Sequence, residues 1–376
     1  MTGGGRRALV VTVVHHPEDS RIRHREIGAL LDAGWQVTYA APFAAHEEPA
    51  RTDRPGLTAV DLPRAAGRRR LRAARTARAL LREQGPQHDV VLVHDPELLL
   101  AATGLGLDHL VWDVHEDAAG ALAVKEWMPR PLRRPVAAAW RLAERRAERR
   151  WPLLLAEHAY ADRFDRPHPV VPNAVLVPES VPAAGGDRVV YIGNLTLARG
   201  VGEMVDAARR LHRAGAGQLV VEIVGPARDE ASGRLLRQAH DDGVLRWHGF
   251  LPAAEAMPLL DGALAGLSLL ADLPNYRGSM PTKVVEYLAH GVPAITTALP
   301  LARELVEAAE AGLVVPFGDG AAAAEAVLTL WRDPERAAAM GARGRALVRE
   351  RYDWAVGGPA FVAALESVAA ASSPRG

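Results

Sequence analysis

Cysteine is absent from the 376 residues. That excludes disulfides, thiolate nucleophiles and zinc sites built on sulfur. Net charge is absent too, because 45 Lys and Arg balance 45 Asp and Glu. Nucleic-acid binders usually carry a basic excess, so no nucleic-acid partner is expected. Lysine is nearly missing: Lys125 and Lys283 stand against 43 Arg. With the many Ala, Gly and Pro, this has the look of GC-rich coding, in which a retained Lys is mildly informative. Aromatic residues are scarce at 5%, but 49% apolar and 24% charged residues are ordinary for a folded soluble chain. The apolar run Ala8–Val14 is short for a signal-peptide core and runs into His15-His16-Pro17-Glu18-Asp19 with no small-residue cleavage pattern. It reads as a buried first strand, and a cytoplasmic location is expected.

The length suits about two domains of roughly 150 residues. Short β-branched runs alternate with longer amphipathic stretches, which predicts parallel sheets covered by helices on both faces. In the first half the expected strands are 8–14, 36–41, 89–94, 109–113 and 170–171, with helices at 21–33, 66–83 and 131–150. The pattern then restarts. Strands are expected at 188–192, 219–224, 245–248, 266–270, 294–297 and 312–315, with helices at 201–214, 230–241, 253–260, 282–290, 300–307 and 320–332. Between the halves, residues 177–186 are rich in Pro and Gly and read as a linker. The expected fold is α/β: two doubly wound Rossmann-like domains, 1–178 and 179–352, facing across a cleft. A last helix, 353–370, is a candidate to dock on the first domain.

Two segments are strongly basic. Arg64 to Arg82 holds eight Arg and no acid, and Arg141 to Arg150 holds five Arg and two Glu. Such segments are most often solvated helix faces. A basic amphipathic helix also suits an anionic membrane, so 64–82 is a candidate for peripheral membrane contact.

The densest chemical signal is residues 275–293. Pro281 fits a helix start and Gly291 the left-handed residue past its end. The helix N-terminus between them is a ready anion site. Lys283 sits in its first turn, against the dipole, so a nearby anion would explain it. Glu286 lies one turn on, where a carboxylate could accept hydrogen bonds from a ribose diol. The plain alternative is a surface Lys283–Glu286 pair. The second signal is residues 189–201: a strand ending at Gly193, a loop, and Arg199-Gly200 opening a helix. An Arg there can fork onto a diphosphate. The third is a set of His and acid clusters at strand ends: His15 to Arg21, His94-Asp95-Pro96-Glu97 and Asp113-Val114-His115-Glu116-Asp117. No Asp-x-Asp, His-Glu-x-x-His, dinucleotide glycine fingerprint or Gly-Lys-Ser/Thr loop is present. No metal and no other cofactor is expected.

These elements together resemble the family-4 glycosyltransferases of the GT-B fold, which act with retention of configuration. The C-terminal half is similar through Gly193–Gly200, Trp247-His248-Gly249-Phe250 and the Pro-x-Lys-x-x-Glu-Tyr-x-Ala-x-Gly-x-Pro run of Pro281–Pro293. The N-terminal half resembles one branch through Asp19-Ser20-Arg21-Ile22, His94–Glu97 and Asp113–Asp117. The resemblance implies a nucleotide-sugar donor, UDP before GDP, held by Gly193, Asn194, Arg199, Ser279, Pro281, Thr282, Lys283 and Glu286. It assigns Arg199 and Lys283 to the diphosphate, Glu286 to the ribose and His115 to the neighbourhood of the transferred sugar. His16, Asp19, Arg21, His94, Asp95, Glu97 and Glu116 fall to the acceptor side. The acceptor would be a glycan, a lipid-linked sugar or a small natural product. Two positions depart from the family: Gly278 replaces a frequent Glu, and Asn194 a frequent Arg. They keep open a non-catalytic partner subunit. A nucleotide-sugar epimerase on the same fold is a further alternative.

Overall fold

A computed structural model describes residues 5–51, 54–115, 129–215 and 217–372. The chain divides into two compact units, Met1–Asn173 with Ala355–Gly376, and Ala174–Trp354. The division falls a few residues before the Pro- and Gly-rich stretch. That stretch is held within the second unit, where Arg345 and Arg349 donate to the carbonyls of Pro178 and Glu179.

The first unit is built on a six-stranded parallel sheet. Its strands are β1 (Arg7–Val11), β2 (Gln36–Ala41), β3 (Leu57–Asp61), β4 (Val90–Val93), β5 (Leu110–Val114) and β6 (Leu153–Leu155), in the order β3-β2-β1-β4-β5-β6. The central strands are buried along nearly their whole length, as continuous apolar runs require when helices cover both faces. One side of the core is formed by Leu9, Val11, Val91, Val93, Trp112 and the helix residues packed on them.

The second unit repeats the topology. β7 (Arg188–Ile192), β8 (Val220–Val224), β9 (Arg246–Trp247), β10 (Ala265–Ser268), β11 (Ala294–Thr297) and β12 (Gly312–Val315) lie in the order β12-β11-β10-β7-β8-β9. Alternate residues of β7 point to opposite faces. Val189 and Tyr191 join one apolar cluster, and Val190 joins the other with Val284 and Tyr287. In both units the strand order reverses direction about the first strand, between β1 and β4 and between β7 and β10. Doubly wound sheets bind ligands beyond the carboxyl ends of the strands at that point.

Three differences from the sequence expectations have physical causes. The first helix is not continuous: Ser20–Glu26 is a π-helical segment, followed by an α-helix over Ile27–Asp32. The wider turn lets Arg21, Arg23, Arg25 and Glu26 all lie buried. Strands β3 and β6 were not anticipated; β6 is only three residues long and directly follows the Arg-rich helix Arg130–Arg150. Val170–Val171 is a single bridge onto Leu155 rather than a strand of its own. The helix Trp354–Ser372 is long and apolar enough to cross a membrane. Its Phe361 and Leu365 are fully buried and its Glu366 pairs with Arg6 beside β1.

Candidate functional site

In the first unit, the ends of β1, β4 and β5 bring a charge network together. Asp113, the fourth residue of β5, is fully buried. Its carboxylate accepts from Arg21 Nε at 2.9 Å and Arg21 Nη2 at 2.7 Å, a bidentate fork. Arg21 Nη1 donates onward to the Val171 carbonyl and to Asn173 Oδ1, both at 3.1 Å. Glu26 Oε1 stands 2.9 Å from Arg21 Nε, and Glu26 Oε2 lies 2.7 Å from His94 Nε2. Burial opposes the charge on Asp113, Arg21 and His94, but the opposite charges win. Burial alone would raise Asp113; Arg21 and His115 hold it well below the usual carboxylate range. His94 is pushed up, because Glu26 outweighs its burial.

A second layer faces outward from this buried one. His115 Nδ1 lies 3.0 Å from Asp113 Oδ2, and its Nε2 lies 3.0 Å from His15 Nε2. Two ring nitrogens at that separation require one proton between them. His15 Nε2 is also 3.3 Å from Asp95 Oδ1. Asp95 accepts from Thr12 Oγ1 and from the backbone N–H groups of Val13 and Val14. Its pKa is lowered: burial works against the charge, and His15 and these donors overcome it. Asp19 caps the π-helical segment by accepting from Arg21 N and Ile22 N.

Several expected residues lie elsewhere. His94 and Arg21 are too buried to present themselves to a ligand and act as supports for Asp113. His16 turns away from the network, accepting from Glu18 N and packing edge-on against His46. Glu97 pairs with Arg70 at 3.1 Å. Glu116 lies outside the described residues. Glu26 and Asn173 are the members that sequence reasoning missed. His15 and Asp113 lay inside the strand-end clusters but were given no role of their own. In the Asp113 motif, His115 and Glu116 were singled out instead. Glu26, His94 and Asp113 each offer one ligand atom within 4.8 Å of the others. The cation in contact with Glu26 and Asp113 is the Arg21 guanidinium.

In the second unit, the expected residues converge beyond β7. Gly193 ends the strand at φ 136°, and a Cβ there would lie 3.5 Å from Lys283 Nζ. Gly200 closes the loop at φ 87°, so close to Leu269 that a Cβ would stand 2.2 Å from its carbonyl oxygen. Thr196 Oγ1 accepts from Arg199 N, fixing the turn that carries Arg199. Lys283 is only 6% exposed, its Nζ has no hydrogen-bond partner among the described residues, and it sits 3.9 Å from the centre of the Tyr191 ring. Burial and Arg199 push its pKa well below that of a free lysine, against the opposing pull of Glu286. Burial raises the Tyr191 hydroxyl to about 12, with Arg199 acting in the other direction. That hydroxyl donates to the Asn194 carbonyl at 2.6 Å.

Lys283 lies in the first turn of the helix Thr282–Ala289, whose N-terminus has no side-chain cap. Pro281, Thr282, Ser279 and Glu286 are half-buried around it. A cation placed against the dipole, buried and beside a second cation, is costly unless an anion completes the site. Asn194 is exposed, and its Oδ1 accepts from Arg228 Nε at 2.8 Å. Arg228 thereby brings a guanidinium beside a position where the resembled family often has Arg; nothing in the sequence pattern pointed to it. A Cβ at Gly278 would meet nothing within 4 Å.

Residues 186–333 match the family described as "Glycosyl transferases group 1". The chain is 36% identical over 101 residues to the phosphatidyl-myo-inositol mannosyltransferase of Mycobacterium leprae (strain TN), covering 27% of each chain. It spans about a quarter to a third of the length of the curated relatives it matches. Among solved structures, sucrose-phosphate synthase from Thermosynechococcus elongatus superposes with a TM-score of 0.74 at 17% identity, covering 98% of this chain and 100% of that one. Anabaena Alr3699/HepE in complex with UDP and glucose gives 0.68 at 15% identity, over 96% and 100%. At such identities these structures establish a shared fold. The chain therefore shares the fold of these structures, two parallel-sheet α/β Rossmann-like units, and its residues 186–333 match the group 1 glycosyl transferases.

Proposed function

We propose that this protein is a glycosyltransferase. In this reading it moves a sugar from a nucleoside-diphosphate sugar, UDP before GDP, to an acceptor hydroxyl with retention of configuration and without a metal ion. The observation that carries the reading is Lys283: a buried amine with no hydrogen-bond partner among the described residues, in the first turn of an uncapped helix and beside Arg199. A diphosphate supplies what this site lacks. Glu286, one turn along, is the candidate for the ribose diol.

The chemistry follows from the charges. The bond between the anomeric carbon and the β-phosphate oxygen breaks, and negative charge builds on the diphosphate. Lys283, Arg199 and the helix N–H groups stabilise that charge, preorganised where it develops. The acceptor oxygen bonds to the anomeric carbon on the face the phosphate leaves. Its proton passes to a departing phosphate oxygen, so no strong protein base is needed. In the first unit, the partly exposed His15–His115 pair, held by Asp113 and Asp95, is the candidate for contacting sugar hydroxyls. The acceptor class stays a glycan, a lipid-linked sugar or a small natural product.

The test is calorimetric titration with UDP, GDP, ADP and dTDP, with and without Mg²⁺, on wild type and Glu286→Ala. The reading expects one diphosphate to bind without metal and Glu286→Ala to weaken it. Binding of none of them would leave a non-catalytic subunit on the same fold. Turnover of the UDP-sugar to an epimer without acceptor would point to the epimerase instead.

A further inference from the structure

Tyr191, the fourth residue of β7, is fully buried, and its ring and hydroxyl meet different parts of the second site. The ring belongs to the apolar cluster of Val189, Leu195 and Met204. A tyrosine in such a cluster needs only one partner for its hydroxyl. Tyr191 makes more contacts than that. Lys283 Nζ sits over its ring, 3.9 Å from the centre. An aromatic face attracts the charged form of a lysine, most strongly where water is excluded. The charged groups that act on Lys283 are Arg199, from the loop after β7, and Glu286, from its own helix. Burial and Arg199 oppose its charge, and Glu286 favours it. The Tyr191 ring adds to the favourable side. It stands on a strand of the sheet, so it fixes where the amine lies as well as its charge.

The hydroxyl serves the loop. It donates to the Asn194 carbonyl at 2.6 Å. Arg199 acts on the same hydroxyl through its charge and a side-chain hydrogen bond. Gly193 stands between the two ends of the tyrosine. A Cβ there would lie 3.5 Å from Lys283 Nζ and 3.8 Å from the Tyr191 hydroxyl. The space in front of Gly193 is thus bordered by both side chains, and one phenol touches the lysine, the loop backbone and the arginine.

We infer that Tyr191 is a positioning residue for the cations of the second site: its ring holds Lys283 in place and in its charged form, and its hydroxyl braces the loop that carries Arg199. The consequence for diphosphate binding rests on the transferase reading. The effect on Lys283 does not.

The experiment follows the lysine directly. Lys125 and Lys283 are the only lysines in the sequence. Lysine labelled with carbon-13 at its ε-carbon therefore gives two titrating NMR signals in the full chain, and Lys283→Met identifies the one that matters. Two changes at Tyr191 are compared. Tyr191→Phe keeps the ring face and removes the hydroxyl. Trifluorophenylalanine at the same position keeps the ring in place but withdraws electron density from its face. Tyr191→Phe should leave Lys283 titrating close to its wild-type value. The trifluoro ring should lower the Lys283 pKa by about one unit, the size of a desolvated cation–π contact. Calorimetry with UDP reads the other half. Tyr191→Phe should weaken UDP about fivefold, the worth of one hydrogen bond, and the trifluoro ring should weaken it further. The two rings pack alike, and circular dichroism with the thermal midpoint checks that both proteins fold. The same Lys283 pKa with either ring would overturn the inference. So would UDP binding as tight in Tyr191→Phe as in wild type. If wild type binds no diphosphate, the transferase reading falls, and the lysine titration still decides whether the ring holds the charge.

Discussion

The two units have the same strand order and the same reversal about their first strand, yet they fill that point in opposite ways. In the first, a buried cation is fully matched: Arg21 sits among Asp113, Glu26 and the carbonyl and amide oxygens of Val171 and Asn173. In the second, the buried Lys283 has an aromatic face and a neighbouring cation but no hydrogen-bond acceptor among the described residues. The first arrangement is internally complete and offers only its outer layer, His15 and His115, to a ligand. In the proposed function an anion completes the second. One scaffold thus yields a self-satisfied network and a buried lysine with no paired acceptor among the described residues, according to where the counter-charges lie.

Removing one charge from each unit should therefore act with opposite sign on stability. The largest effect is expected for Asp113→Asn, which leaves Arg21 without its bidentate partner. Breaking a buried pair costs about 3–5 kcal/mol, read as a drop in the denaturant midpoint. Lys283→Met should do the reverse to the unliganded protein, raising its stability by about 1–3 kcal/mol because an unsatisfied buried charge is lost. An equal loss of stability in both variants would break the comparison.

Acid and alkaline titration sharpen it. The pKa values of Asp113, Asp95 and Asp19 are lowered in the fold. Their stabilisation is present above the unfolded value near 3.8 and is lost as pH falls through the folded values. His94 is raised above 6.5, so its contribution is full below that value and is lost as pH climbs through its folded pKa. Lys283 is depressed below 10.5, so its penalty is relieved as pH rises through its folded pKa. Alkaline pH should thus weaken the first unit while it relieves the second, a difference that hydrogen exchange resolved by segment would read. The smallest expected effect is that of Arg228→Ala. It removes a partly solvated guanidinium at Asn194 and should weaken diphosphate binding only a few-fold, seen in the same calorimetry.

Much of the second site was legible in the sequence, because its parts are local. Pro281, Lys283, Glu286 and Gly291 lie within one helix and its caps, where spacing dictates geometry. Arg199 and Gly200 close a single strand–loop–helix turn. The first site was harder to read. Its members come from three strand ends and a π-helical segment, and whether His15 or His16 faces the network depends on a turn no periodicity describes. Arg21 and His94 were visible as chemistry-bearing residues, but their full burial was not, since burial is set by which carboxylates meet them in space. Arg228 was invisible for the same reason: 34 residues separate it from Asn194.

The central claim is that Lys283 is a cation awaiting a diphosphate. Titration of UDP into wild type and Lys283→Met, without added metal, tests it most directly. Wild type should bind, and more weakly as pH rises through the depressed pKa of the lysine. The variant, folded and at least as stable, should bind on the order of 30–150-fold more weakly, the worth of about 2–3 kcal/mol for a charged hydrogen bond. Equal affinity in the two proteins would contradict the account.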